Sequence, residues 1–396
     1  MTGPLRITLL LCGAEVLGLT GLATFAALLP YFMNAWALSN TRAGWLSAVY
    51  YGAYVVAVPI LTAWTDRLDA KKILMSGLLI GALASLGFAW AASGFWSALM
   101  LRFLAGVSLA GIYMPGLKLL GDHTEGPLQS RYVSFYTASF SLGTSLSYFL
   151  AGQVQAALGW RWAFGVPGLL ILAGFVLVGC MVPPGRSVQY SQPAVSPWRV
   201  LASRQAMAYV LGYAAHMWEL FSMRSWIVAF LTYSKQLQLS VGAALNPTLV
   251  AALINLVGLP ASIAGNELCR RLGRPRTVRW IMLTSALVSL VMGFSARLPY
   301  GWVIFLSLIY GAMILGDSAS LTAGAVASAP AGGRGATLAV HSTMGFGAAF
   351  LGPLATGIVL DLFRGHADLA WGMAFACMGA GCALGPLALR LLRPRP

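Results

Sequence analysis

Charge is what this chain of 396 residues has least of: Asp, Glu, Lys and Arg together make up 9% of it, against roughly a quarter in ordinary soluble domains. Only 10 residues are acidic and 4 are histidine. That scarcity, with 59% hydrophobic residues and a mean hydropathy of +0.78, excludes a water-soluble globule. Lipid is the solvent that tolerates so much apolar surface. The five cysteines, Cys12, Cys180, Cys269, Cys377 and Cys382, include no Cys-x-x-Cys pair and no metal-ligand spacing. Neither a metal centre nor a disulfide is therefore expected. There is no Walker-A loop, no His-x-x-x-His, and too few histidines for bis-histidine haem ligation. The expectation is no enzyme, no ATP and no cofactor.

What is present is a succession of long apolar runs. A bilayer-crossing helix needs about 20 largely apolar residues, so about twelve spans and short loops use up the chain. The expected architecture is an all-α polytopic membrane protein of twelve transmembrane helices in two pseudo-symmetric six-helix bundles. Residues 1–182 form the first bundle, 183–205 a Pro-, Ser- and Gln-rich cytoplasmic linker, and 206–396 the second bundle. Span 1 is read as one helix over about Ile7–Pro30, too long for a signal-peptide core. Span 10 is likewise read as one helix over about Tyr300–Ser328. Placing both termini in the cytoplasm puts about eighteen Lys and Arg residues on that side and about five outside, which is the positive-inside pattern. The net charge of +15 is therefore topogenic, and no nucleic-acid partner is expected. The membrane expected is a bacterial-type inner membrane, and the chain is expected to be a monomer.

A short charged turn between spans 2 and 3 organises the rest. PILTAWTDRLDAKKIL carries Asp66, Arg67, Asp69, Lys71 and Lys72. About 203 residues later the event recurs in GNELCRRLGRPRTVR, with Cys269-Arg270 where Asp66-Arg67 stood. Arg131 and Arg334 open two further helices at the same offset, so the chain is a duplication. Six plus six spans around a central loop resemble the major facilitator superfamily. Its loop motif, Gly-x-x-x-Asp-Arg-x-Gly-x-Arg/Lys-Arg/Lys, is matched at Asp66, Arg67, Lys71 and Lys72, with Thr62 and Asp69 where the glycines usually sit. The second copy keeps Gly265, Arg270, Gly273 and Arg274 but replaces the acid with Cys269. Arg102 followed by Gly106 resembles the family's span-4 motif. The segment LSNTRAGWLSAVYYGAY resembles the branch loosely labelled nitrate/nitrite or cyanate transporters. However, spans 2 and 8 lack the arginines expected to hold nitrate. The resemblance implies a cytoplasmic latch at Asp66, Arg67, Lys71 and Lys72, with Asp122 as a partner for Arg67. It implies a weaker latch around Arg270 and Arg274.

An ionisable residue inside the membrane is a functional hypothesis by default, because insertion costs about 2.5–3.5 kcal/mol per charge. Glu15 on span 1 and Glu219 on span 7 occupy equivalent places in the two halves. They read as proton carriers, or as neutral groups that pin helices. Asp317 on span 10 reads as a coupling acid or a packing hydrogen-bonder. Arg102 reads as an anion-holding or structural residue. His341 reads as a relay or a packing residue, and Tyr50 and Tyr54, one turn apart, as cavity hydroxyls or packing. Arg224 reads as a substrate contact or as a side chain snorkelling outward. His216 is three residues from Glu219 and can pair with it. These residues point to a proton-coupled secondary transporter of a small polar solute, with an anion held by Arg102 as one form of it. The alternatives are proton-coupled efflux of cationic or amphipathic compounds, or a transport-inactive sensor or assembly partner.

Overall fold

A computed structural model of the chain describes residues 3–65, 67–124, 126, 128–185, 196–238 and 245–392. Among these residues every regular element is a helix. In the first half they are α1 (Gly3–Leu19), α2 (Thr24–Ala27), α3 (Leu29–Ala35), α4 (Asn40–Trp64), α5 (Ala70–Ala91), α6 (Phe95–His123), α7 (Gln129–Leu158) and α8 (Trp160–Met181). A short α9 (Pro197–Ala202) precedes α10 (Arg204–Gln236), α11 (Pro247–Leu272), α12 (Arg274–Gly293), α13 (Tyr300–Leu315), α14 (Ser318–Ala327), α15 (Arg334–Leu362) and α16 (Ala367–Leu391).

Among the described residues, eight stretches are long and apolar enough to cross a membrane unaided: α4, α5, α6, α8, α11, α13 with α14, α15 and α16. The others fall short for readable reasons. Helix α1 has only 17 residues. Helix α7 is rich in Ser, Thr, Tyr and Gln, α10 carries His216, Glu219 and Arg224, and α12 opens on three arginines. Much of their polarity is turned inward, since Ser139, Thr144, Ser147, His216, Glu219, Arg224, Ser285 and Ser289 are all buried. Trp90, Trp96, Trp280 and Trp302 are exposed near helix ends, as expected of aromatic belts at the membrane interface.

Two expected single spans are interrupted. Span 1 is divided into α1, α2 and α3. After Leu19 the chain tightens, with Thr20 N and Thr20 Oγ1 both donating to the Leu17 carbonyl at 3.3 and 2.7 Å. The freed Ala23 N–H donates to Ser147 Oγ of α7 at 2.9 Å. A neighbouring helix thus restores the hydrogen bond that lipid cannot supply. Span 10 is interrupted between α13 and α14 at Gly316-Asp317, where Gly316 N bonds back only three residues, to Met313 O at 3.2 Å.

The chain forms two compact units. One comprises residues 1–28 and 49–192, the other 29–48 and 193–396. In the first unit, Leu11, Leu74, Leu78, Ile112, Leu119 and Ile171 are core residues. Helices α5 and α6 meet there at Gly77 and Gly111, where a Cβ on Gly77 would lie 2.6 Å from the Gly111 carbonyl carbon. Only glycine permits that approach. In the second unit, Tyr209, Met282, Leu321 and Cys382 belong to the core.

The Gly77 contact yields a paired prediction. Gly77→Ala should lower stability by about 1–3 kcal/mol through overpacking. Gly347→Ala has no atom within 4 Å of the added methyl and should be neutral or stabilising by up to about 1 kcal/mol. Thermal unfolding of the detergent-solubilised variants checks this, and equal melting temperatures would refute the close packing of α5 on α6.

Candidate functional site

The intramembrane charges are buried in both units, Glu15 and Arg102 in the first and His216, Glu219, Arg224, Asp317 and His341 in the second. In the first unit Glu15 is 1% exposed. Ser139 Oγ of α7 contacts Glu15 Oε2 and also lies 2.7 Å from the Tyr136 carbonyl oxygen. A serine hydroxyl has one hydrogen to give. Both contacts are hydrogen bonds at once only when Glu15 itself contributes a proton. Its other oxygen, Oε1, has no partner. The pair is therefore suited to a carboxyl that gains and loses a proton.

Arg102 of α6 is 4% exposed. Its guanidinium carbon lies 4.5 Å from the centre of the Tyr50 ring and 5.4 Å from that of Phe25. Cation–π contacts of this kind are strongest when desolvated. Tyr51 and Tyr148 are further polar neighbours. Tyr50 is thus placed against Arg102, while Tyr54, 1% exposed, lies deeper, near Tyr136.

The second unit holds the larger cluster. Glu219 Oε2 accepts from Ser285 Oγ of α12 at 2.9 Å, and Oε1 lies 3.2 Å from the Tyr310 hydroxyl of α13. Tyr310 also lies 3.0 Å from Ser289 Oγ, which donates to the Phe375 carbonyl at 2.8 Å. The single Tyr310 hydrogen cannot serve both neighbours. With a proton on Glu219, Glu219 donates to Tyr310, Tyr310 to Ser289, and Ser289 to the Phe375 carbonyl oxygen; loss of that proton reverses the first link. The acids at equivalent places thus have different settings, since their serines come from spans 5 and 9.

Asp317 sits at the interruption of span 10. It pairs with His216, whose Nδ1 is 2.7 Å from Asp317 Oδ1. His216 therefore meets Asp317 rather than Glu219, its neighbour on the same helix. His341 Nε2 lies 3.2 Å from Thr322 Oγ1, and its ring stacks on Tyr213 at 3.8 Å. Tyr213 in turn stacks on His216 at 5.7 Å. Arg224 is 3% exposed. Its Nε donates to Asn255 Oδ1 at 2.9 Å, and it lies 5.2 Å from the centre of the Phe221 ring. The outward-snorkelling reading of Arg224 fails, because an amide and a ring hold it inside the unit.

At the turns the arrangement departs further from expectation. Asp66 lies outside the described residues. Asp122 pairs with Lys118 at 3.4 Å, one turn earlier, not with the exposed Arg67. Asp69 caps α5: its Oδ1 accepts from Lys71 N at 2.9 Å and from Gly185 N at 2.8 Å. Lys71 Nζ donates to the Gly179 carbonyl at 3.0 Å, and Lys72 is exposed. In the second copy Glu267 pairs with Arg270 and Arg271 on its own helix, at 3.2 and 2.9 Å. These are exposed contacts of the kind that contribute little. Arg274 Nε is buried without a partner.

At the opposite ends of the spans two acids act as clamps. Asp361 accepts from Asn40 N, Asn40 Nδ2 and Thr41 N at 3.1, 2.9 and 2.7 Å, satisfying donors at the start of α4. Asp368 accepts from the Tyr233 hydroxyl and Arg297 Nε, each at 2.7 Å. The Asp368 carboxylate, by hydrogen bond and by charge, holds the loop residue Arg297 protonated beyond its ordinary range.

Residues 11–353 match the profile of the Major Facilitator Superfamily. Among curated proteins, the chain is similar to protein spinster homolog 1 of Bos taurus. The two are 26% identical over 242 residues, which is 58% of this chain and 46% of that one. It is also similar to the sphingosine-1-phosphate transporter SPNS2 of Xenopus tropicalis, 26% identical over 178 residues, covering 44% and 34% of the two chains. The chain thus spans less than half the length of these relatives. A solved bacterial homologue of the human lysosomal transporter Spinster, in an inward-facing and occupied conformation, superposes with a TM-score of 0.76. That match covers 99% of this chain and 96% of the other at 14% identity, a likeness of fold. The nitrate/nitrite or cyanate branch finds no support in these relatives.

Removing the Asp361 clamp should be costly locally. Asp361→Ala should destabilise by about 0.5–2 kcal/mol, as loss of a helix cap does. It should also speed hydrogen exchange at the Asn40 and Thr41 amides. Unchanged exchange there would contradict the assigned hydrogen bonds.

Proposed function

The chain belongs to the Major Facilitator Superfamily, and from that premise we propose a proton-coupled secondary active transporter that carries a small organic anion by alternating access. Membership in this family makes the chain a multi-pass membrane protein and supports transport of small molecules rather than enzymatic chemistry. In the proposed reading, the sequence halves 1–182 and 206–396 supply the two moving bundles, joined by the linker 183–205, with residues 29–48 grouped with the second unit in this structure. The protein works as a monomer in an inner membrane with both termini cytoplasmic. The distribution of Lys and Arg supports that orientation.

One observation carries the substrate class. Arg102 is a buried cation braced by the rings of Tyr50 and Phe25 and set among tyrosine hydroxyls, a setting fit to receive a carboxylate or phosphate. Proton coupling rests on Glu15 and Glu219, with Asp317 and His341 in the same cluster as Glu219. Each glutamate meets hydroxyls that rearrange by one hydrogen as it loads and unloads. Tyr54 and Arg224 serve as supporting polar groups. A second reading, transport of amphipathic compounds, is favoured by the likeness to a protein named as a sphingosine-1-phosphate transporter. It differs in the tail of the solute rather than in the charged head. The transport-inactive alternative is disfavoured by these buried acids.

The test begins with a thermal-shift panel of small carboxylates, amino acids, sphingosine-1-phosphate and amphipathic cations, because a ligand of the native state raises apparent stability. The anion reading expects a carboxylate or phosphate to score, and Arg102→Ala to weaken that ligand by about 10- to 100-fold, the worth of a charge-assisted hydrogen bond. Cations scoring instead would select efflux of cationic compounds. In liposomes, Glu15→Gln and Glu219→Gln should each abolish gradient-driven uptake while sparing counterflow exchange. Driven uptake that survives both substitutions sinks the coupling role.

A further inference from the structure

The two copies of the charged turn are not balanced alike. The first carries Asp66 and Asp69 among its basic residues, whereas the second, from Gly265 to Arg279, carries five arginines and one acid, Glu267. Cys269, standing where the first copy has Asp66, is buried and neighbours Arg274. Glu267 already faces Arg270 and Arg271, at 3.2 and 2.9 Å. Among the described residues these are the ion pairs of this turn, and Arg276 is exposed. The turn is thus a cationic surface with too little acid of its own to neutralise it.

The helix below shows what that surface meets. On α12, Arg276, Trp280, Leu283, Leu287, Val291 and Phe294 are exposed. They follow one another in steps of three and four residues, and so lie on one face. Val278, Met282, Ser285 and Ser289 face the other way and are buried. An apolar stripe left uncovered along a membrane span is the side that meets acyl chains. Trp280 marks the level of the headgroups, and Arg276, one turn nearer the helix start, heads the stripe where a long basic side chain reaches the phosphates. On α11, Arg271 is exposed between the exposed Leu268 and Leu272. The first turn of α12 contains no acid, and its N-cap, Gly273, offers no side-chain hydrogen bond. The positive end of the helix therefore adds to the same surface.

We propose that the turn between α11 and α12 docks the headgroup of an anionic phospholipid, with Arg271 and Arg276 on the phosphate and Trp280 beside the glycerol. Basic clusters at the end of a membrane span attract anionic lipid, each arginine contributing about fivefold in affinity. A guanidinium can also give two hydrogen bonds to one phosphate. A carboxylate at position 269 would compete with the phosphate for Arg274, and a thiol does not. The first turn is differently disposed: Asp69 lies within it, and Lys71 is engaged with the Gly179 carbonyl. The site requires a membrane protein but neither a particular solute nor proton coupling, so its failure leaves the transport reading untouched.

Native mass spectrometry of the detergent-solubilised full chain, titrated with phosphatidylglycerol, phosphatidylcholine or glycerol 3-phosphate, tests the site. Phosphatidylglycerol should bind at concentrations where phosphatidylcholine and free glycerol 3-phosphate do not. Arg271→Gln and Arg276→Gln should each weaken it about fivefold, and the double variant about thirtyfold. Arg276→Lys, which keeps the charge, should retain most of the binding, and Arg67→Gln in the first turn should change nothing. Unchanged melting temperatures without lipid check that the variants are folded. Equal binding of the two lipids, or a double variant that titrates like the wild type, would overturn the site. An equal loss with Arg67→Gln would overturn it as well, reducing the effect to general charge. Binding of glycerol 3-phosphate in the same range would make the occupant a free phosphate and exclude the lipid.

Discussion

Everything in this structure depends on one constraint: a charge taken into lipid must be neutralised or partnered, at a penalty of about 2.5–3.5 kcal/mol if it is not. The chain meets it with mild partners. Glu15 meets a serine, Glu219 a serine and a tyrosine, Arg224 an asparagine, and Arg102 the faces of aromatic rings. Hydroxyls satisfy a carboxyl in either protonation state, because a hydroxyl both gives and accepts a hydrogen. A tight bond to Arg or Lys would fix one state. Neutral partners therefore let a buried acid gain and lose a proton without unfolding the helices around it.

The same constraint explains the irregular backbone. Helix interruptions in lipid are tolerated only where protein groups replace the missing hydrogen bonds. Ser147 does so for Ala23 at the break in span 1. The break in span 10 is covered by Gly265 of α11. Interruption and charge coincide at Gly316-Asp317, where a polar side chain and loosened backbone share one site. Clamps at the span ends, through Asp361 and Asp368, stand in water-accessible places and can use ordinary carboxylate hydrogen bonds.

The all-helical membrane fold and the repeated charged turn are legible in the sequence, because lipid enforces length and composition directly, though only eight stretches among the described residues are long and apolar enough to stand out unaided. So are the buried acids, since charge is rare enough to be conspicuous. Their partners are not. Ser139, Ser285 and Tyr310 look like any other hydroxyl residue until the helices are placed, and they lie 124, 66 and 91 residues from the acids they meet. Local spacing suggests that His216 pairs with Glu219, but the fold brings in Asp317 from span 10 instead. Asp122 gives the reverse lesson: a partner one turn away, Lys118, wins over the distant Arg67. Asp69 was readable only as a departure from a glycine motif. In the structure it is a helix cap, the role that an acid immediately before a helix commonly takes.

The central claim is that these softly partnered acids move protons together with the solute. It is tested most directly in liposomes that enclose a pH-sensitive dye, with no gradient imposed, when the solute selected by thermal shift is added outside. The account predicts that solute entry changes the internal pH with the wild-type chain, and that the change vanishes with Glu219→Gln while counterflow exchange of the same solute continues. Solute accumulation with no change in internal pH would contradict it.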